Sequence, residues 1–345
     1  MRLSLSLAIL GGLSLIPTAC SSPLLLQTPE TTSSYTKKRA SNDYGFDSVA
    51  LALNTDFPDP AFVQHTNGSW YAFGTNGNGE RIQVAYSADF KSWSLLSGVE
   101  ALPTLSGWET EVDHWAPDVF RRNDGKYVMY YSAIAQENTN RHCIGVAIAD
   151  GDSPAGPYIP TSDSPLACPL DQGGAIDASN FQDEDGTRYV LYKVDGNSVG
   201  HGGDCNNSQE PLVPTPIMIQ QVKEDGLTPV GDAIQILDRD ESDGPLVEAP
   251  SLVRSDDGMY LLFYSTHCFT DVKYDVRYAT ASTVTGPYTK KGNSLLASND
   301  ALYGPGGATV HGSGNILFHG WCNDNSVRCM YAAHVDIDGG AVTVE

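Results

Sequence analysis

One strand-like segment recurs five times along this chain, each time directly after a glycine turn. The copies are Gly68-Ser-Trp-Tyr-Ala-Phe-Gly-Thr75, Gly125-Lys-Tyr-Val-Met-Tyr-Tyr-Ser132, Gly186-Thr-Arg-Tyr-Val-Leu-Tyr-Lys193, Gly258-Met-Tyr-Leu-Leu-Phe-Tyr-Ser265 and Gly314-Asn-Ile-Leu-Phe-His-Gly320. Asp124-Gly125, Asp185-Gly186 and Asp257-Gly258 are hairpin signals, because glycine accepts a positive φ without penalty and aspartate tolerates one. Each copy is therefore the second strand of a hairpin. The partner strand repeats as well, upstream of each turn: Asp59-Pro-Ala-Phe-Val63, Trp115-Ala-Pro-Asp-Val119, Asp177-Ala-Ser-Asn-Phe181, Glu248-Ala-Pro-Ser-Leu252 and Gly307-Ala-Thr-Val-His311. Pro60, Pro117 and Pro250 cannot donate to a ladder, so these strands are expected at a sheet edge. Third strands follow at Ile82–Tyr86, Ile144–Ala149, Ile217–Val222, Val276–Ala281 and Met330–Val335, then short fourth strands, two of them announced by Gly156-Pro-Tyr158 and Gly286-Pro-Tyr288.

A four-stranded unit of this kind cannot bury both faces alone, and five in series predict an all-β chain, a five-bladed β-propeller with four-stranded antiparallel blades. A β-sandwich with coincidental hairpins is the competing reading. Composition agrees with strands joined by turns: 34 Gly, 20 Pro and 17 Tyr in 345 residues, with few long runs of helix formers. With 42 acidic against 20 basic residues, the net charge is −22. That excess disfavours nucleic acid and anionic membranes as partners, which are bound through clustered Lys and Arg.

The amino terminus reads as an address. Arg2, the apolar run from Leu3 to Ile16 and the small-residue end Pro17-Thr-Ala-Cys20 have the form of a secretory signal, assigned to residues 1–19. The run is too short to span a membrane. Residues 20–39 are expected to be a pro-peptide or linker ending at the dibasic Lys37-Lys-Arg39, and 40–345 a single propeller domain. A lipid-attached Cys20 is the alternative, which Pro17 fits poorly. Asn67-Gly-Ser69 and Asn206-Asn-Ser208 are N-glycosylation acceptor patterns. The expected location is extracellular, and a monomer is expected. Six cysteines remain after Cys20, enough for three disulfides in any of 15 connectivities, with Cys322–Cys329 as the one local pairing the spacing favours. No Cys-x-x-Cys or His/Cys spacing suggests zinc.

In a propeller the first strand of each blade lines the central channel. The first residues of the repeated inner strand, Asp59, Trp115, Asp177, Glu248 and Gly307, are thus expected to form one ring. Carboxylates gathered without basic neighbours repel, which raises at least one pKa and yields the mixture of acid and base that glycoside hydrolysis requires. The Trp115 indole offers a flat apolar face to a sugar ring, or packs in the core. The same acids could instead hold a structural calcium.

On these motifs, namely Asp56-Phe-Pro-Asp-Pro-Ala61, Trp115-Ala-Pro-Asp-Val119, Ile176-Asp-Ala178, Val247-Glu-Ala-Pro250 and the two Gly-Pro-Tyr turns, the chain resembles glycoside hydrolase family 43 over residues 56–345. The resemblance implies an inverting glycosidase acting on arabinose- or xylose-containing plant polysaccharides without a required cofactor. It casts Asp59 as general base, Glu248 as general acid and Asp177 as the carboxylate that orients the acid and tunes its pKa. It loosely matches Arg328 to a substrate-contacting arginine, with a solvated surface arginine as the alternative. Many members carry a histidine where this chain has Gly307, and it helps organise a central water or calcium cluster; His311 lies too far along to replace it, so a calcium does not carry over and no metal ligand is assigned. His267, after Tyr264-Ser-Thr266 in the blade of Glu248, is a candidate substrate contact. The remaining histidines are expected to be surface or packing residues. An α-L-arabinofuranosidase is the preferred activity, with endo-1,5-α-L-arabinanase and β-xylosidase as alternatives in the same class and a non-catalytic sugar-binding propeller in another. The long insertion from Val194 to Val213 could block one end of a cleft, and the lack of an appended domain after Glu345 argues mildly against β-xylosidase.

If the six cysteines are paired, reducing agent should lower the thermal unfolding temperature without releasing a metal. Titration of the unfolded, unreduced protein with a thiol reagent should find none of the six as free thiols, and finding all six would overturn the assignment.

Overall fold

The computed structural model describes residues 49–345; the signal and pro-peptide expectations and the first residues of the expected domain lie outside them. Twenty-one strands and four short 3-10 turns make up the regular structure of the described residues. Blade one contains β2 (Ala61–Gln64), β3 (Trp70–Gly74), β4 (Gln83–Ser87) and β5 (Trp93–Leu95), after an initial strand β1 (Ala50–Asp56). Blade two contains β6 (Trp115–Arg121), β7 (Tyr127–Ile134), β8 (His142–Ala149) and β9 (Tyr158–Pro160). Blade three contains β10 (Ala175–Gln182), β11 (Arg188–Val194), β12 (Ile217–Val222) and β13 (Ile234–Leu237). Blade four contains β14 (Val247–Arg254), β15 (Tyr260–Thr266), β16 (Asp275–Ala281) and β17 (Thr289–Lys290). Blade five has β18 (Tyr303–Val310), β19 (Asn315–Cys322) and β20 (Val327–Asp338), with β21 (Ala341–Val344) folding back on the end of β20.

The five-bladed propeller read from the repeats is the observed architecture. In each of the five hairpins the turn glycine has φ between 86° and 91° and donates its N–H to the carbonyl three residues before it, as Gly125 does to Arg122. A side chain would strain that backbone, which is why the repeat keeps glycine there. The inner strands β2, β6, β10, β14 and β18 are sheet edges, so Pro117 and Pro250 face the channel where no ladder donor is needed. Apolar clusters join neighbouring blades: Phe73, Ile82 and Val84 pack on Val119, Tyr127 and Met129 between blades one and two, and Val253, Leu261 and Phe263 on Ile316, Phe318 and Tyr331 between blades four and five.

Closure of the ring differs from the repeat pattern. The fourth strand of blade five is β1, from the start of the chain, which pairs antiparallel with β20 in the register Ala50↔Ala332 to Asp56↔Cys329. The repeat search began near Asp56 and missed it, because β1 has no hairpin turn and its partner lies some 270 residues away. Hydrogen bonds tie the two chain ends, Phe57 N–H to the Arg328 carbonyl at 2.7 Å and Arg328 N–H to Asp56 Oδ1 at 3.1 Å. Leu53 of β1 packs with Phe62, Trp70, Leu317 and Met330. The disulfides are Cys143–Cys168, Cys205–Cys268 and Cys322–Cys329. The last is the local pair expected; the other two bridge positions that sequence could not pair. No helix of the described residues is long and apolar enough to cross a membrane.

If β1 closes the ring through its one buried face, Leu53→Ala should destabilise by about 2–3 kcal/mol through lost burial and a cavity. Leu51→Ala, on the same strand but 48% exposed, should change stability by less than about 0.5 kcal/mol. Urea unfolding of both variants checks this; equal effects would show that β1 is not packed as described.

Candidate active site

Four of the five inner strands carry a bulge near their start, and in blade one the matching residue, Asp59, precedes β2. Between the pairs Glu248↔Ser265 and Ser251↔Phe263, Ala249 and Pro250 of β14 oppose the single residue Tyr264 of β15, and the same slip occurs in β6, β10 and β18. The residue thrown out of register takes a left-handed backbone: Asp59 (φ 54°), Ala116 (43°), Asp177 (60°), Ala249 (52°) and Gly307 (58°). Four of the five are not glycine, a conformation that costs on the order of 1–3 kcal/mol each unless the surroundings enforce it.

The enforcement is a hydrogen bond from the bulged N–H to a side chain on the second strand of the preceding blade. Ala116 N–H donates to Thr75 Oγ1 at 2.8 Å, Asp177 N–H to Ser132 Oγ at 3.1 Å, Gly307 N–H to Ser265 Oγ at 3.0 Å and Asp59 N–H to His319 Nδ1 at 3.0 Å. The fourth junction departs from the rule. Lys193 stands at the matching place and cannot accept, so Ala249 N–H turns to Asp177 Oδ2 at 2.8 Å.

This register corrects the expected ring. Asp59, Asp177 and Gly307 do share the bulge position, but Trp115 and Glu248 sit one residue earlier, alongside Ile176, Gly306 and Pro58. Pro60, Pro117 and Pro250 mark the true alignment, which the repeat as first aligned shifted by one. The convergence nevertheless holds: Asp59, Asp177, Glu248 and Trp115 all line one cavity of about 410 Å³, as does Arg328. His267 is not among its lining residues; its ring meets the Thr266 hydroxyl at 2.8 Å and its N–H reaches the Asp243 carbonyl.

The three carboxylates are not free of basic neighbours. Asp59 lies 3.6 Å from Arg328 Nη1 and accepts from Thr75 Oγ1 at 2.6 Å. Burial alone would raise its pKa, but Arg328, His319 and Thr75 outweigh it and hold the carboxyl well below the usual range. His319 Nδ1, 3.2 Å from Asp59 Oδ1, already accepts the Asp59 N–H and is kept neutral by burial and by Arg328; Thr75 and Arg328 are therefore the effective partners of the carboxylate. Asp177 is shifted the other way, raised by burial and then by the negative charge of Glu248. Glu248 accepts from Lys193 Nζ at 2.9 Å through Oε2 and from the Tyr274 hydroxyl at 2.7 Å through Oε1. One pocket thus holds a carboxylate kept ionised and a carboxyl kept neutral, the pair of states acid–base chemistry needs.

Trp115 stacks on His142, centroids 3.7 Å apart, so one face of the indole is covered by imidazole. The lining also includes Phe269 and Tyr274, and Asn197, Ser198, Cys205 and Asn206 of the long insertion, and Cys205–Cys268 ties the insertion to the segment carrying Phe269. Asn206 is also the acceptor of the second glycosylation pattern. A Cβ at Gly307 would come within 2.6 Å of His319 Nδ1 and 2.7 Å of Asp59 Oδ1. That point is filled by neighbours, and the described residues include no group of three or more His, Cys, Asp or Glu arranged to hold a metal. The side chains here do not assemble a calcium site, and no step is derived through one.

Sequence reasoning missed Lys193, Tyr274, His319, Thr75 and Phe269. Four of the five clasp positions end the aligned repeats, as Thr75, Ser132, Lys193 and Ser265, so a column reading could have exposed Lys193 as the odd member. His319 was hidden because the arm of the blade-five hairpin is two residues shorter, which puts it out of step when counted from the turn.

Thr75 serves two blades through one hydroxyl, so Thr75→Val should orphan the Ala116 N–H and one oxygen of Asp59, at about 1–3 kcal/mol. Thr75→Ser, which keeps the hydroxyl, should stay near wild type. Thermal and urea unfolding compare the two; indistinguishable stabilities would remove the clasp.

The family model for glycosyl hydrolases family 43 matches residues 52–320. Among curated proteins the chain is 29% identical over 236 residues to a β-D-galactofuranosidase of Aspergillus niger, covering 66% of this chain and 59% of that protein. It is 26% identical over 265 residues to an extracellular endo-α-(1→5)-L-arabinanase of Bacillus subtilis, covering 69% of this chain and 51% of that one. The chain therefore spans between half and six-tenths of the length of these two relatives. Among solved structures, a thermostable family-43 glycoside hydrolase superposes with a TM-score of 0.70 at 27% identity, covering 84% of this chain and 93% of that one. Propeller, carboxylate cluster and sequence match agree, and the chain belongs to glycoside hydrolase family 43.

Proposed function

We propose that the protein is an inverting glycosidase that releases α-L-arabinofuranosyl units from neutral plant cell-wall polysaccharide, arabinan or arabinoxylan. The observation that carries this reading is the convergence of Asp59, Asp177 and Glu248 on one sugar-sized pocket, with the carboxyl of Asp59 shifted down and that of Asp177 shifted up. Asp59, as general base, takes a proton from water as its oxygen attacks the anomeric carbon. Glu248, as general acid, gives a proton to the glycosidic oxygen as that bond breaks from the opposite face. Asp177 orients and tunes the acid. Inversion requires the base and acid to stand about 6.5–9.5 Å apart, leaving room for the water. Arg328 and the free face of Trp115 serve to hold the sugar. The net charge of −22 disfavours uronate-rich polymers as substrates.

Release of single terminal or branch units is supported by the insertion, which is pinned by Cys205–Cys268 and contributes Asn197, Ser198, Cys205 and Asn206 to the pocket lining. Endo-arabinanase is the second reading, favoured by the endo-acting name of the Bacillus subtilis relative. Three disulfides fit an oxidising, extracytoplasmic compartment, which is the proposed location.

Hydrolysis of 4-nitrophenyl α-L-arabinofuranoside, with little on the β-D-xyloside, is the expected specificity, and the reverse preference would refute it. Glu248→Gln should lower kcat on arabino-oligosaccharides by about 10²–10⁴-fold, because the amide cannot supply the proton. Activity should be much better preserved on the nitrophenyl substrate, whose leaving group needs little protonation. Near-wild-type turnover of the oligosaccharides would remove Glu248 from the mechanism.

A further inference from the structure

The broken clasp at the fourth junction has a chemical consequence. Four second-strand positions spend their side chain on the bulged N–H of the next blade; Lys193 alone is free of that duty and reaches the carboxylate of Glu248 instead. Its ammonium is buried, 2.9 Å from Glu248 Oε2 and 3.0 Å from Asp195 Oδ1. Tyr274 occupies the other oxygen of Glu248. A carboxyl group that accepts at both oxygens, one of the bonds coming from an ammonium, is held in place and favoured as a carboxylate. We propose that Lys193 is a positioning residue for Glu248, its ammonium fixing the carboxyl at Oε2 while Tyr274 fixes Oε1, so that the charge of Lys193 biases the resting acid toward its carboxylate form. The inference rests on Glu248 being the acid, as proposed above.

The groups that face Glu248 come from four elements. Lys193 projects from β11 with Asp195 just beyond its end, Asp177 from the bulge of β10, Tyr274 from the loop before β16 and the neutral ring of His319 from β19. Asp59 and Arg328 line the same cavity. Burial would lower the pKa of Lys193, but Glu248, Asp195 and Asp177 together raise it, so its charge persists through the working range. It is the cation hydrogen-bonded to Glu248, whereas Arg328 is engaged with Asp59. The sign follows. The proposed acid must hold a proton to work, so activity falls on the basic side of the pH profile. A cation beside it pulls that fall to lower pH, and the Asp195 charge behind the cation pushes it back up.

The test is the pH profile of kcat/KM on an arabino-oligosaccharide for two variants, with circular dichroism and unfolding temperature to verify folding. Lys193→Gln keeps a donor to Oε2 without the charge, and its basic limb should move up by about one unit or more. Asp195→Asn leaves Lys193 in place and removes the compensating anion, and its basic limb should move down. A basic limb that stays put in a folded variant, or two variants that move in the same direction, overturns the role of Lys193. If Lys193→Gln does not fold, the downward movement in Asp195→Asn stands as the criterion, and its absence overturns the proposal. Failure here while Glu248→Gln still loses oligosaccharide turnover condemns Lys193 alone; near-normal turnover in Glu248→Gln condemns the functional reading itself.

Discussion

The site depends on backbone N–H groups turned toward a neighbouring blade by left-handed bulges. A bulge disrupts a ladder locally and re-aims the residues beside it. Here it throws one residue per blade into a conformation that non-glycine residues resist. Side chains of the preceding blade stabilise it, through Thr75, Ser132, Ser265 and His319. The blades are thereby locked to one another at the same height where the carboxylates stand. Asp59 and Asp177 are themselves bulge residues, so a contact that holds the ring together also fixes the acids that occupy it.

Charge in the pocket is arranged rather than merely accumulated. Arg328 attends Asp59, Lys193 attends Glu248, and Asp177 has no cation within bonding reach in the ion pairs described. The result is a separation of proton affinities among three similar groups, produced by which cation lies next to which carboxyl. Tyr274 extends the arrangement by bonding Glu248 while stacking on His319, the ring that holds the Asp59 backbone, so the proposed acid and base share a supporting aromatic pair. Around them, Cys205–Cys268 joins the insertion to the loop carrying Phe269, which shapes the pocket through a covalent tie that no single blade could supply.

The architecture was legible in the sequence because propeller blades are built locally. A glycine turn between two apolar strands is specified within about fifteen residues, and five such units leave few other ways to bury their faces. Pro117 and Pro250 reported their edge position in advance, and Asp59, Asp177 and Glu248 emerged as a cluster from repeat alignment alone. What escaped was non-local. The closing strand β1 has no turn to announce it, and its partner β20 lies at the other end of the chain. The one-residue offset of Trp115 and Glu248 reflects a bulge, which changes pairing without changing pattern.

By itself, then, the sequence determined the number of blades, the order of the first three strands in each, the local Cys322–Cys329 pair and the clustering of three carboxylates, since each is written in short-range periodicity or in a repeated column. Only the tertiary structure decided which basic group serves which acid, why His319 rather than His267 meets Asp59, and that Lys193 is released from the clasp to meet Glu248. Those outcomes depend on contacts between blades, where hairpin length, a bulge and a side chain's reach set which atoms meet, and a linear pattern carries no record of that distance.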